Sequence, residues 1–319
     1  MRGVMMNEEL RKFLAEQNDG NHINFSSLDA IDFRSKFPKS FAEGNYRDKV
    51  NAISVEINLN GNEISARLYR PVGCDGKLPV LVYFHGGGFV IGSPSLSDSV
   101  CEGLSYCARC VVISVDYRLA PEYKFPVGLQ DAFEALNWVY HNDVILGINS
   151  DLIAVGGNSA GGNFAAVLAQ ASYDVIPNLC HQLLLFPVLN CSFDSSSSRD
   201  YAEGYFLSKN MMKWFWDNYL PDDFDRYDPL ISPLHAHQLK NVCSATIITA
   251  QYDILRDDAH SYAQKLKEAG VPVALRCWED SIHDFILMPD KFSIANEAIV
   301  FAAERLKDSF TGKNLIAEK

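Results

Sequence analysis

Residues 152–162 read Leu152-Ile153-Ala154-Val155-Gly156-Gly157-Asn158-Ser159-Ala160-Gly161-Gly162, and the fold is decided here. The first four form a short unbroken apolar run, the pattern of a strand buried on both faces. From Ala160 to Ala171 apolar residues return at helical spacing, with Phe164, Val167, Leu168 and Ala171 on one face. Between strand and helix lies Gly157-Asn158-Ser159-Ala160-Gly161, a G-x-S-x-G turn. A turn this tight pushes Ser159 out at the end of the strand, and the flanking glycines let neighbouring backbones close around it. Three such fixed residues arise by chance in roughly one chain in ten of this length, so the weight comes from the strand and helix on either side. Two plainer readings remain open at this point. Ser159 could merely cap the helix, or the turn could hold a phosphate, although the lysine of a P-loop is missing.

The same rhythm extends outward. Ala52–Leu59 and Glu63–Tyr69 read as a hairpin around Asn60-Gly61-Asn62. Further short apolar runs follow at Pro79–Phe84, Cys110–Val115, Gln182–Phe186, Ala245–Ala250 and Val271–Cys277, with a helical stretch at Val127–His141. Strands alternating with helices predict an α/β fold with a mostly parallel sheet covered on both sides. Two segments break the rhythm. Residues 1–45 carry an amphipathic helix signal (Leu10, Phe13, Leu14) without a strand, and residues 190–232 carry Met212, Phe215, Trp216 and Tyr219 on one side of a helix. That side either glues an insertion to the core or roofs an apolar pocket, with Phe89, Met212, Phe215 and Trp216 as the pocket candidates. The expected division is a core of 46–189 and 233–319, with 1–45 and 190–232 as a helical cap.

Directly after the run Pro79–Phe84 stands His85-Gly86-Gly87-Gly88. Glycines expose backbone N–H groups, which is what a tetrahedral oxyanion requires. Gly86, Gly87 and Gly88 are therefore the candidate donors, together with the N–H of Ala160 beside the nucleophile. His85 reads as a residue that holds the loop. A serine nucleophile needs a base and an orienting carboxylate, which in an open α/β sheet follow it in the order Ser, Asp, His. Asp253, just past Ala245–Ala250, and His283, after Val271–Cys277 and a loop Trp278–Ile282, emerge at the edge that presents Ser159. Asp257 and Asp258 fit the start of the next helix instead, His260 lies inside it, and His235 and His237 lack further metal ligands.

With these residues in place the sequence resembles the hormone-sensitive-lipase-like family of α/β-hydrolase esterases, over roughly residues 50–310. The resemblance rests on His85-Gly86-Gly87-Gly88-Phe89, Asp116-Tyr117-Arg118-Leu119-Ala120-Pro121-Glu122 with Phe125-Pro126, Gly157–Gly162, Asp253-Ile254-Leu255-Arg256-Asp257 and His283-Asp284-Phe285. It implies a serine carboxylesterase with Ser159 as nucleophile, His283 as base and Asp253 as orienting acid. It further implies an oxyanion hole from the glycine loop and Ala160, a helical cap, short-chain acyl esters as substrates, and no cofactor or metal. Two positions depart from the family pattern. Asn158 stands where the family usually has Asp, and Asp284 where it usually has Gly.

Composition narrows the partners. The 319 residues are 48% hydrophobic and 21% charged, and a net charge of −12 without a basic stripe argues against nucleic acid. No apolar run has the length of a signal peptide or a membrane span, so a cytoplasmic protein without a membrane anchor is expected. The eight cysteines are spread along the chain, as expected of reduced thiols, and Cys107-Ala-Arg-Cys110 has no second ligand pair for zinc. An apolar last strand at Val271–Cys277 invites a homodimer. Two other functions stay in view: a catalytically weak small-molecule-binding protein on the same fold, and an amidase or peptidase with the same triad.

Overall fold

The computed structural model describes residues 6–18, 24–59, 61–171 and 179–312. Its centre is an eight-stranded sheet in the order β1-β2-β4-β3-β5-β6-β7-β8. The strands are β1 (Val50–Leu59), β2 (Asn62–Pro71), β3 (Leu78–Phe84), β4 (Val111–Val115), β5 (Ile148–Asn158), β6 (Leu179–Leu185), β7 (Ser244–Tyr252) and β8 (Val273–Ile282). β1 and β2 form the expected hairpin, with residue 60 of its turn outside the described residues. β2 runs antiparallel to β1 and β4, and β3 to β8 are mutually parallel. Every apolar run of the sequence reading lies in a strand, with shifted ends. The largest shift is at β8: Trp278–Ile282 continues the strand. An edge strand tolerates the polar Glu279 and Asp280 because one of its sides meets no neighbouring strand.

The helices are α1 (Glu8–Asn18), α2 (Ala30–Lys36), α3 (Asp98–Ala108), α4 (Val127–His141), α5 (Asp143–Leu146), α6 (Ala160–Ala171), α7 (Ser196–Asp200), α8 (Lys209–Tyr219), α9 (Arg256–Glu268) and α10 (Ile294–Phe310). Alternation along the strands divides the core between the two faces of the sheet. Val80, Val82 and Phe84 of β3 join α4, α6 and α9 on one face. Leu81 and Tyr83 join α1, α3 and α10 on the other. α6 is buried from Ala160 to Ala169, so it is enclosed all round rather than amphipathic.

Sheet register brings the chemistry together. Phe84 pairs with Gly157, which sets His85 and Gly86 beside Asn158. Ala250 pairs with Trp278 but Tyr252 with Ile282, a bulge that places extra residues on β8. The next residue on each of these strands is Asp253 and His283, so the bulge delivers the two side by side.

Candidate active site

Ser159 sits between β5 and α6 with φ of 54°, a left-handed conformation that a non-glycine residue holds only when its surroundings enforce it. They do so here: its N–H donates to Leu185 O at 2.9 Å, and its carbonyl accepts from Asn163 N and Val188 N. The turn also demands Gly161. A Cβ there would lie 1.8 Å from the carbonyl oxygen of Phe84, so the helix start can approach the end of β3 only without a side chain.

Ser159 Oγ lies 2.9 Å from His283 Nε2, and His283 Nδ1 lies 2.7 Å from Asp253 Oδ2. The other Asp253 oxygen accepts from Leu255 N at 2.9 Å, which fixes the carboxylate. All three residues are buried, at 4%, 3% and 2% exposure for Ser159, His283 and Asp253. Burial alone would lower the pKa of His283. The charges of Asp253 and Asp284 and the hydrogen bond to Asp253 outweigh it, and the net shift is upward from the ordinary value. The rival residues are engaged elsewhere. Asp257 accepts from Ser197 N, Asp258 is buried, His260 Nε2 meets Thr249 Oγ1 at 3.0 Å, and His235 Nε2 meets Asn190 Oδ1 at 3.2 Å.

The three loop glycines differ. The N–H of Gly86 is committed to Asn158 Oδ1 at 2.9 Å. Gly87 and Gly88 line the cavity with Ser159 and His283. Ala160, as the first residue of α6, has an N–H without a partner inside the helix. His85 braces the loop: its buried ring stacks on Tyr117 at 4.3 Å, its Nδ1 meets Gly86 O, and its carbonyl accepts Tyr117 Oη at 2.8 Å. The Asp116–Glu122 motif thereby gains a physical role, since Arg118 pairs with buried Asp131 and Glu122 pairs with Arg34 of α2.

A cavity of about 490 Å³ opens over Ser159, within the range of small-molecule sites. Of the pocket candidates only Phe215 lines it. Phe89, Met212 and Trp216 face the packed side, where Phe89 stacks on Tyr219 at 4.1 Å with Trp216 at 5.2 Å. Met212 is one helical position too far round, and its neighbour Met211 faces the cavity. The remaining apolar wall comes from Phe25, Phe33, Phe37, Phe41, Phe206 and Leu207. Sequence reading missed the N-terminal phenylalanines. Their signal was the spacing of Phe33, Phe37 and Phe41, every fourth residue.

The two departures from the family pattern touch one another. Asn158 Nδ2 donates to Asp284 Oδ1 at 3.0 Å, while Asn158 Oδ1 accepts from Tyr83 Oη and Gly86 N. Asp284 has φ of 60°, a conformation that favours Gly but that Asp tolerates. Burial raises its carboxyl above the ordinary value, opposed by the charge of His283 and the Asn158 amide.

The family described as alpha/beta hydrolase fold matches residues 81–287. The chain is 35% identical to an arylesterase of Saccharolobus solfataricus, with 96% of this chain and 99% of the relative covered. It is 33% identical to an ethyl acetate hydrolase of Pseudomonas putida, with 95% and 99% covered. Among solved structures, a thermostable esterase from Pseudomonas putida superposes with a TM-score of 0.90 at 33% identity, covering 96% of this chain and 98% of that one. The chain belongs to the α/β-hydrolase family. Within it, it is a serine ester hydrolase of the hormone-sensitive-lipase-like kind.

Proposed function

We propose that the protein is a carboxylesterase acting on short-chain acyl esters, with Ser159, His283 and Asp253 as its triad. The observation that carries this reading is the unbroken hydrogen-bond chain from Asp253 through His283 to Ser159 at the floor of the cavity. Ser159 Oγ attacks the ester carbonyl while Nε2 takes its proton, and Asp253 holds Nδ1–H and the imidazolium that forms. The N–H groups of Gly87, Gly88 and Ala160 receive the oxyanion, a contribution of about 2.7–4 kcal/mol for each donor in comparable sites. Nε2 then protonates the departing alcohol, and water releases the acyl group. A phenylalanine-lined cavity of about 490 Å³ suits a neutral ester with a modest acyl chain.

Residues 1–45 and 190–232 act in this reading as the cap, since both contribute side chains to the cavity wall. The eight unpaired cysteines fit a reducing cytoplasm. Among the described residues no helix is long and apolar enough to cross a membrane. The position of β8 at the end of the sheet suits pairing of two copies, which sedimentation would test. The enzymatic reading is tested by labelling with a fluorophosphonate probe and by hydrolysis of p-nitrophenyl esters of increasing chain length. Native protein should label at Ser159 and favour short esters, and Ser159→Ala should do neither. Equal rates for the two proteins would overturn the assignment.

A further inference from the structure

We propose that Asp284 is the second hydrogen-bond acceptor for the water that releases the acyl group, and so biases the enzyme toward hydrolysis over transfer to alcohols. The inference rests on the triad reading above. His283 Nε2 is the atom that must take a proton from the incoming water, so the water oxygen has to sit within hydrogen-bond reach of it. Asp284 Oδ1 lies 3.9 Å from that same nitrogen. This is too long for a direct bond and suits two groups bridged by one water. That same oxygen accepts from Asn158 Nδ2 at 3.0 Å, which fixes the carboxylate. Its other oxygen has no protein partner among the described residues, and the side chain lines the cavity with Ser159 and His283. Asp284, His283 and Ser159 therefore line one cavity, the space through which, in this reading, the alcohol leaves and the water enters.

The step balances without any further reagent. The water oxygen bonds to the acyl carbon as one of its protons passes to Nε2, and the second O–H stays bonded to hydrogen and points at the Asp284 carboxylate. When the tetrahedral intermediate collapses, the bond from carbon to Ser159 Oγ breaks. The proton on Nε2 passes to Oγ, and the carboxylic acid leaves with the second hydrogen. An alcohol has only one O–H, which it must give to Nε2. It then presents an alkyl group to the carboxylate, so the device favours water alone.

The test uses the full chain and p-nitrophenyl acetate in stopped flow, comparing native protein, Asp284→Gly and Asp284→Asn, with methanol as a competing acceptor. Glycine suits the left-handed backbone at 284, which keeps the fold intact, and Asn keeps the size while turning an acceptor into a donor. Both variants should show a burst of one p-nitrophenol per active site, with acylation within about twofold of native. Steady-state kcat should fall on the order of 10- to 100-fold, and the ratio of methyl acetate to acetate should rise. Burst and steady state falling together, or an unchanged methanol ratio, would overturn the role of Asp284. Native protein that released no p-nitrophenol would instead overturn the esterase reading and this one with it.

Discussion

The backbone N–H of Gly86 donates to Asn158 Oδ1 at 2.9 Å, so the residue before Ser159 holds the first glycine of the loop after β3. The same side chain gives its amide to Asp284, and therefore couples the loop to the residue after His283. Replacing Asn158 with Asp would set two carboxylates about as close as this 3.0 Å bond, and like charges so placed cannot both ionise freely. Asn158→Asp should lose about 1–3 kcal/mol of stability. Asn158→Asp/Asp284→Gly should recover most of it, as read by thermal melts of the four proteins in a mutant cycle.

A shift in pH profile follows from the charges around His283. Facing it are Asp253 after β7, Asp284 on its own loop and the hydroxyl of Ser159. Both carboxylates raise its pKa, and in the proposed mechanism only the neutral imidazole takes the serine proton. Asp284→Gly should therefore move the acid limb of kcat/KM to lower pH. A limb that stays in place would show that the Asp284 charge does not reach the base.

Arg34 ties the N-terminal segment to the loops that follow β3 and β4. Its guanidinium makes two bonds to Glu122, at 2.7 and 2.8 Å, and Nε donates to the carbonyl of Val90 at 2.7 Å. The ion pair with Glu122 is partly exposed and contributes little, about 0–1 kcal/mol. The bonds to carbonyls are lost only with the arginine itself. Arg34→Ala should thus destabilise by about 1–3 kcal/mol and raise KM, while Glu122→Gln should cost less than 1 kcal/mol by the same comparison. Melting curves and KM values for the two variants provide the check.

Glu102 on α3 is buried, and its Oε2 has no hydrogen-bond partner. Burial, with the charge of Asp98, raises its pKa to about 7, against the pull of Arg47 and Arg67. An unfolded Glu titrates near 4.3, so between those values the folded protein binds the extra proton. Stability therefore falls as pH rises through that window, and the loss is complete above it. Glu102→Gln should raise Tm at pH 8 and leave it unchanged at pH 3, where both states are protonated.

Much of this site could be read before any coordinates. The elbow at Ser159, the glycine loop, Asp253 and His283 lie at strand ends, where an apolar run stops and a chemically distinctive residue begins. The path of β8 was harder to read because Glu279 and Asp280 imitate a loop while lying on an edge strand that bulges. The engagement of Gly86 N–H was not legible, because its partner, Asn158, lies 72 residues away in sequence and meets it only through the register of β3 and β5. The pocket wall was only partly legible. Helical periodicity shows which side of α8 is apolar, but not where on that side the core ends and the cavity begins. Phe215 and Met212 therefore looked alike.

Trp214 bonds through its indole N–H to the carbonyl of Leu28 and packs against Phe25 and Phe33, so a single indole joins α8 to the N-terminal segment. It lies on the same helix as Phe215, whose ring would collide with any side chain at Gly88. The protein thus carries a built-in optical probe. With Trp138, Trp216 and Trp278 replaced, parting of α8 from residues 25–33 would bring water to this indole and redden its emission, so access to the cavity is followed by fluorescence without an added label.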